Sequence, residues 1–319
     1  MAVTSVPELV LLREKEVLER LTPQLAFEAV KEALIAAADG TGTLNPVVIG
    51  SGMNPGETFS IKSGRAGRGP IVGLKVGSYW PGNASLGLAP HGSSILLLDP
   101  RTGRLAALVE ASRLNGPRTA AADAVAARAL ARADARTLML IGAGHQAAHE
   151  ARALCATLPI ERILLASRSI ERAAQLRDRL VDLQVPVELT DVEVGCREAD
   201  IVVTVTPSRA PLFKYEWLKP GVHVASMGSD QAGKQELPVE LLHRARLFCD
   251  LPSQSLAIGE FQHVRAAVDT GSLALTAIGD VLTGRADGRR NAEEITVFDS
   301  SGLALQDLYV AEALLRARA

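Results

Sequence analysis

The chain holds 319 residues, 47% of them hydrophobic, with 34 Lys and Arg against 36 Asp and Glu for a net charge of −2. That length exceeds what one hydrophobic core usually fills, so two domains are expected. The balanced charge offers no global field to gather nucleic acid or an anionic membrane surface, which leaves small molecules as the expected partners.

The amino-terminal stretch MAVTSVPELVLLREKEVLER alternates charges with short apolar steps. It lacks the roughly 7–15 unbroken apolar residues of a signal peptide and the roughly 18 of a membrane span, so a cytoplasmic location is expected. Thr22 followed by Pro23 is a helix start, with a hydroxyl free to cap and proline in the first turn, and LAFEAVKEALIAAADG carries helical apolar spacing to a terminating glycine. A glycine-punctuated series follows, NPVVIGSG, TFSIKSG, GPIVGLKVGSYW and SSILLLDPRTGRLAALVEA, which reads as short strands. DPRTGR between two apolar runs has the turn chemistry of a hairpin. The first domain is therefore expected to be α+β with a mostly antiparallel sheet.

Residues 118–133, rich in Ala and Arg, predict a helix that carries the chain into a second domain. From Thr137 onward the runs TLMLIG, RILLAS, ADIVVTVT, GVHVASMG and RLFCDL alternate with helical stretches from about His145 and Ile170. Near-continuous apolar strands separated by helices predict an α/β fold, a doubly wound Rossmann-type parallel sheet. EITVFDSSG reads as one more strand, and LALQDLYVAEALLRAR as a helix returning to the first domain. The expected division is residues 1–118 with 303–319 as a substrate-binding and dimerisation domain, and 119–302 as a dinucleotide-binding domain. Cys155, Cys196 and Cys249 form no C-x-x-C pair and are expected to be reduced thiols.

Gly142, Gly144 and Ala147 in LIGAGHQA match the G-x-G-x-x-G/A pattern between a strand and a helix. Gly142 allows the tight turn, Gly144 lets the backbone approach a pyrophosphate, and the start of the helix at His145 and Gln146 offers free N–H groups to the anion. An NAD enzyme usually carries an acid at the end of the next strand. Here that strand ends in Ser167-Arg168-Ser169, while Glu161 lies at its start, so NADP(H) is expected to be preferred over NAD(H). His145 and His149 have metal-ligand spacing on a helix, but Gln146 stands where the glutamate of H-E-x-x-H would be, and no metal site is expected. Charged residues set in apolar or glycine-rich surroundings are the substrate candidates: Lys75 in VGLKVGSYWP, Arg118 in NGPRTAAAD, and Asp230 in SMGSDQAGKQEL, just past a sheet strand. Their placement suggests one cleft between the domains.

GLKVGSYWPGN, HGSSILLLDPRTGRLAALVEA, RTAAADAVAARALA, LIGAGHQA, ADIVVTVTPSRAPL, SMGSDQAGKQEL and FDSSGLALQDL, in this order, resemble the ornithine cyclodeaminase/μ-crystallin family over nearly the whole chain. Within it the resemblance is closest to imine-reducing members of the Δ1-pyrroline-2-carboxylate and iminosuccinate reductase kind. It implies an NAD(P)H-dependent reductase of a small α-imino acid, running in reverse as an amino-acid dehydrogenase, and a homodimer built through the first domain. Lys75 and Arg118 would clamp the substrate carboxylate, Lys75 also polarising the imine, and Asp230 would be the general acid/base, a role that needs burial to raise its pKa if it is to donate near neutrality. Thr119, Thr206, Met227, Gly228 and Ser301, within the matching stretches, are expected to touch the coenzyme. The family's early-strand arginine falls at Ile49 or a neighbour, and Lys62 could substitute for it. His91 is either pocket-lining or structural, and Trp80 reads as core packing. The alternatives are an ammonia-releasing ornithine cyclodeaminase and a non-catalytic NADP-dependent binding protein like μ-crystallin.

Overall fold

The computed structural model describes residues 8–317. Residues 1–7, part of the amino-terminal stretch read above, and 318–319, the end of the expected first domain, lie outside them. The chain forms two compact units, one of the described residues up to Arg118 together with those from Leu303 onward, the other Thr119–Gly302.

The first unit runs β1 (Val10–Leu12), α1 (Glu14–Arg20), α2 (Pro23–Ala38), β2 (Gly42–Leu44), β3 (Val48–Ser51), β4 (Thr58–Ala66), β5 (Ile71–Tyr79), β6 (His91–Leu98) and β7 (Leu105–Glu110). Its seven-stranded sheet has the order β1-β7-β6-β5-β4-β2, with β3 also on β4, and every pair is antiparallel except β1 with β7. Thr22 caps α2 as expected, its Oγ1 accepting from the Leu25 N–H at 3.1 Å. The β6–β7 hairpin is held by Asp99, whose Oδ1 accepts from the N–H groups of Arg101 and Thr102. The connecting helix α3 is Asn115–Leu130, three residues earlier than expected at both ends, and the division between the units falls within it.

The second unit runs β8 (Thr137–Ile141), α4 (His145–Thr157), β9 (Arg162–Ala166), α5 (Ile170–Arg179), β10 (Val187–Leu189), α6 (Val192–Glu198), β11 (Ile201–Thr204), β12 (His223–Ser226), α7 (Val239–Arg244), β13 (Arg246–Cys249), α8 (Pro252–Ile258), α9 (Arg265–Asp269), β14 (Leu275–Ala277), α10 (Ile278–Leu282) and β15 (Thr296–Asp299). All eight strands are parallel in the order β10-β9-β8-β11-β12-β15-β13-β14. β8, β9, β11, β12, β13 and β15 have interiors buried on both faces, which is why their sequences are unbroken apolar runs. Strand order reverses between β8 and β11, the place where such sheets bind ligands beyond their carboxyl ends. Cys196 and Cys249 lie in this core and Cys155 is half-buried; all three are free thiols.

The last helix, α11 (Ala304–Arg316), belongs to the first unit and packs on α2, β4, β5 and β6. Gly64 and Gly73 lie opposite each other on β4 and β5; a Cβ on the first would meet the Thr43 carbonyl oxygen at 2.6 Å and one on the second the Leu96 carbonyl oxygen closer still, and Leu305 and Leu308 of α11 rest over the pair.

Candidate functional sites

In the second unit the turn after β8 is built from the sequence pattern. Gly142 has φ +125°, and a Cβ there would sit 2.7 Å from the Val205 carbonyl oxygen beyond β11, so only glycine closes this turn. Gly144 differs. It is exposed at the start of α4 with φ −82°, and a Cβ would meet no atom of the chain within 4 Å. Nothing in the protein requires glycine there, whereas a pyrophosphate lying on the helix start would. The residues therefore fit a dinucleotide. Ala147 is fully buried, and the exposed His145 stacks on His149 with ring centroids 4.8 Å apart.

After β9, Arg168 is exposed and Ser169 caps α5, its Oγ accepting from the Arg172 N–H at 3.2 Å; Ser167 Oγ accepts from the Ser169 N–H at 3.3 Å. Glu161 lies before β9, exposed and paired with Arg136 at 3.3 Å. Thr206 and Gly228, at the carboxyl ends of β11 and β12, share a partner that sequence reading missed. Glu236 is fully buried and accepts from the Thr206 N–H at 2.6 Å, the Thr206 hydroxyl at 2.8 Å, the Gly228 N–H at 2.8 Å, the Thr204 hydroxyl at 2.9 Å and the Ser226 hydroxyl at 3.1 Å. Burial pushes the Glu236 carboxyl up against those bonds, and burial likewise lifts Glu260, its neighbour through Ser226, to about 7. Met227 is buried, Thr119 half-buried on α3, and Ser301 buried with its hydroxyl accepting from Gln254 at 2.9 Å.

Asp230 departs from expectation. The burial that an acid/base role near neutrality needs is missing: its side chain is 53% exposed and accepts from Lys234 at 2.5 Å, on the loop after β12. Lys234 also donates to the Gly228 carbonyl at 3.2 Å, which ties the loop back on itself.

The first unit brings Lys75 and Arg118 together. Lys62 lies directly across from Lys75 in the β4–β5 register, so both leave the same face. Their Lys75 and Arg118 side chains, 10% and 11% exposed, both donate to one oxygen, Asp307 Oδ1, Lys75 Nζ at 3.0 Å and Arg118 Nε at 3.0 Å. Lys75 also donates to Asn115 Oδ1, and Arg118 Nη1 to Gln306 Oε1 at 3.1 Å. Burial pushes the Lys75 ammonium down to about 8, Asp307 pulling it back up while the Arg118 and Lys62 cations press it down. Burial would raise Asp307, but Arg118 and Lys75 outweigh it and hold the carboxyl below its usual value. Asp307 and Asn115 were not foreseen. His91 is exposed and stacks on Tyr79, centroids 4.7 Å apart; Ile49 is 75% exposed on β3 opposite Ser60; Trp80 is half-buried instead of in the core.

The chain matches the model of the ornithine cyclodeaminase/mu-crystallin family over residues 8–317. It is 38% identical over 302 residues to an iminosuccinate reductase of Paracoccus denitrificans, covering 95% of this chain and 94% of that one. Three solved structures are similar. The iminosuccinate reductase of Paracoccus denitrificans in complex with NAD+ has TM-score 0.91 and 37% identity, over 97% of this chain and 96% of that one. An archaeal alanine dehydrogenase dimer with bound NAD has TM-score 0.87 and 32% identity, over 97% and 95%. The Δ1-pyrroline-2-carboxylate reductase of Thermococcus litoralis in complex with NADH and L-proline has TM-score 0.87 and 25% identity, over 97% of each. The fold is Rossmann-type with an open glycine turn, and these relatives make the chain one of the nicotinamide-dependent oxidoreductases. The chain belongs to the ornithine cyclodeaminase/mu-crystallin family.

Proposed function

We propose that this chain reduces a small α-imino acid to the amino acid with a nicotinamide dinucleotide, the reverse reaction being amino-acid oxidation. The imine-reducing relatives, matched over nearly the full chain, support this reaction class. The observation that carries the reading is the buried Lys75 and Arg118 pair in a chain that also has an open dinucleotide turn. Arg118 grips the substrate carboxylate through its fork of N–H donors, and Lys75 holds the same end while its positive charge polarises the C=N bond. Lys62, on the Lys75 face, adds a third cation, and His91 lies four residues further along, opposite Tyr79 at the end of β5. When bound, the reduced coenzyme supplies hydride to the imine carbon. Asp230 passes on the proton that the nitrogen takes up, directly or through water; held as a carboxylate by Lys234, it first takes that proton from solvent when the pair opens.

The coenzyme rests on Gly142, Gly144, His145 and Gln146, with Thr119, Thr206, Met227, Gly228 and Ser301 as further contacts. Ser167, Arg168 and Ser169 favour a 2′-phosphate, so NADP(H) is the preferred form and NAD(H) the accepted one. The NAD-bound relatives support the nicotinamide dinucleotide itself. The protein works as a homodimer in the cytoplasm; the dimer of the archaeal alanine dehydrogenase supports the assembly. Among the described residues no helix is long and apolar enough to cross a membrane.

The test is a panel of cyclic imino acids, and of α-keto acids with ammonia or methylamine, assayed with NADPH and NADH. The expected result is stoichiometric loss of reduced coenzyme with at least one imine, faster with NADPH. Ammonia release from a diamino acid without net coenzyme turnover would instead make the chain a cyclodeaminase.

A further inference from the structure

Asp307 has a feature that fold stability does not explain. It is 1% exposed, and it spends one oxygen on both cations while its Oδ2 has no hydrogen-bond partner among the described residues. An unmet buried acceptor costs free energy. The chain nevertheless goes to some length to bring it there. Leu305 and Leu308 flank Asp307 on α11 and rest over Gly64 and Gly73 of β4 and β5, which seats α11 on the strands that carry Lys62 and Lys75.

We propose that Asp307 is a positioning residue for imine reduction: one carboxylate oxygen holds Lys75 and Arg118 in a single fixed geometry, ready for the substrate carboxylate. The inference rests on the reading that these two cations grip the substrate. An ammonium has three N–H directions, and Asp307 and Asn115 fix two of them, which orients the third. Asn115 is itself held, its Nδ2 donating to Ser93 Oγ at 2.9 Å. The Arg118 plane is set by two consecutive side chains of α11, Gln306 and Asp307. Two cations kept this close would repel without the shared anion, and long side chains would otherwise lose rotamer freedom only when substrate binds, at a cost in affinity. The groups that bear on the Lys75 charge are Asp307 from α11, Arg118 from α3 and Lys62 from β4, and of these Asp307 alone favours the protonated form.

Asp307→Asn keeps the size of the side chain and removes its charge. The expected result is a fall in kcat/KM for the imine of about 100-fold, the scale of a misplaced binding group, expressed mainly in KM. Coenzyme affinity is expected to stay within about twofold, because the glycine turn belongs to the other unit. The alkaline limb of the pH profile, expected near the Lys75 value of about 8, moves to lower pH, since burial, Arg118 and Lys62 then act unopposed. A limb that stays in place while the rate falls equally at every pH would mean a structural role and overturns the proposal. Asn115→Asp places a second carboxylate on the same ammonium and is expected to move the limb to higher pH. An unmoved limb there overturns the proposal even if Asp307→Asn does not fold. Lys75→Gln keeps the two readings apart: wild-type reduction by that variant means the cationic grip itself is wrong, whereas loss of reduction with an unmoved limb in the other two variants means only Asp307 has been misassigned.

Discussion

Each unit holds a lysine paired with an aspartate, and the two pairs live in opposite surroundings. Lys75 and Asp307 in the first unit are 10% and 1% exposed, whereas Lys234 and Asp230 in the second are 16% and 53% exposed. The buried pair cannot be hydrated, so each partner's charge depends on the other and on Arg118, and the group is fixed before any ligand arrives. The exposed pair is screened and one end is in water, so it can open at little cost. The same contrast runs through the rest of each unit. The first unit presents Lys75 and Arg118 already held by side chains of α3 and α11, each with a donor left over, while the second leaves Gly144, Arg168 and Asp230 exposed at its proposed coenzyme-side positions. Substrate charges are thus met by a prebuilt grip, and coenzyme and proton by groups that remain accessible.

The sharpest break of that contrast is Asp230→Asn, which removes the exposed acid without disturbing a core. Turnover is expected to fall by at least about 100-fold, as for loss of a general acid/base. Coenzyme binding, read by quenching of intrinsic fluorescence, should persist. Unimpaired reduction would remove Asp230 from its role. Next come paired truncations compared by urea denaturation. Lys75→Met leaves Asp307 buried with Arg118 alone and is expected to cost on the order of 3 kcal/mol, the low end for breaking a buried ion pair. Lys234→Met is expected to cost under about 1 kcal/mol, since its aspartate simply returns to water. Equal costs would mean that burial does not distinguish the pairs.

A smaller effect tests the open turn. Gly144→Ala meets no atom of the chain and needs no unusual backbone, so the Tm of the coenzyme-free protein should not change, while coenzyme Kd rises about tenfold, some 1.4 kcal/mol. A lowered Tm with unchanged Kd would make this glycine structural. Smallest, Arg168→Asp should move the ratio of kcat/KM values from NADPH toward NADH by about tenfold, the worth of one charge-assisted bond. An unchanged ratio would end the case for a 2′-phosphate site at Ser167-Arg168-Ser169.

What could be read from sequence was whatever depends on neighbours in the chain. The Thr22 cap, the Asp99 turn, the Gly142 turn and the unbroken apolar strands each follow from residues within a few positions of one another. Strands β10 and β14, three residues each, are too short to show a pattern. Asp307 escaped because its partner Lys75 is 232 residues away in sequence, and QDL on a helix reads like any surface turn. Glu236 was hidden in a similar way: SMGSDQAGKQEL draws the eye to Asp230, yet it is the second acid of that loop that is buried and that holds the N–H groups of Thr206 and Gly228. A carboxylate close to glycines and strand-end threonines is a signal that could have found it, because such donors need an acceptor once buried. The position of Asp230 just past β12 was legible, but not that the loop carries it out to solvent beside Lys234, since that depends on how the loop folds.

Hydride delivery to an imine carbon is the central step, and reduced coenzyme carrying deuterium at both nicotinamide C4 positions tests it most directly. With an accepted imino acid, mass spectrometry of the product should show one deuterium on the amino acid α-carbon, with one oxidised coenzyme formed for each molecule reduced. Product without deuterium, or ammonia released while the label stays on the coenzyme, would contradict it.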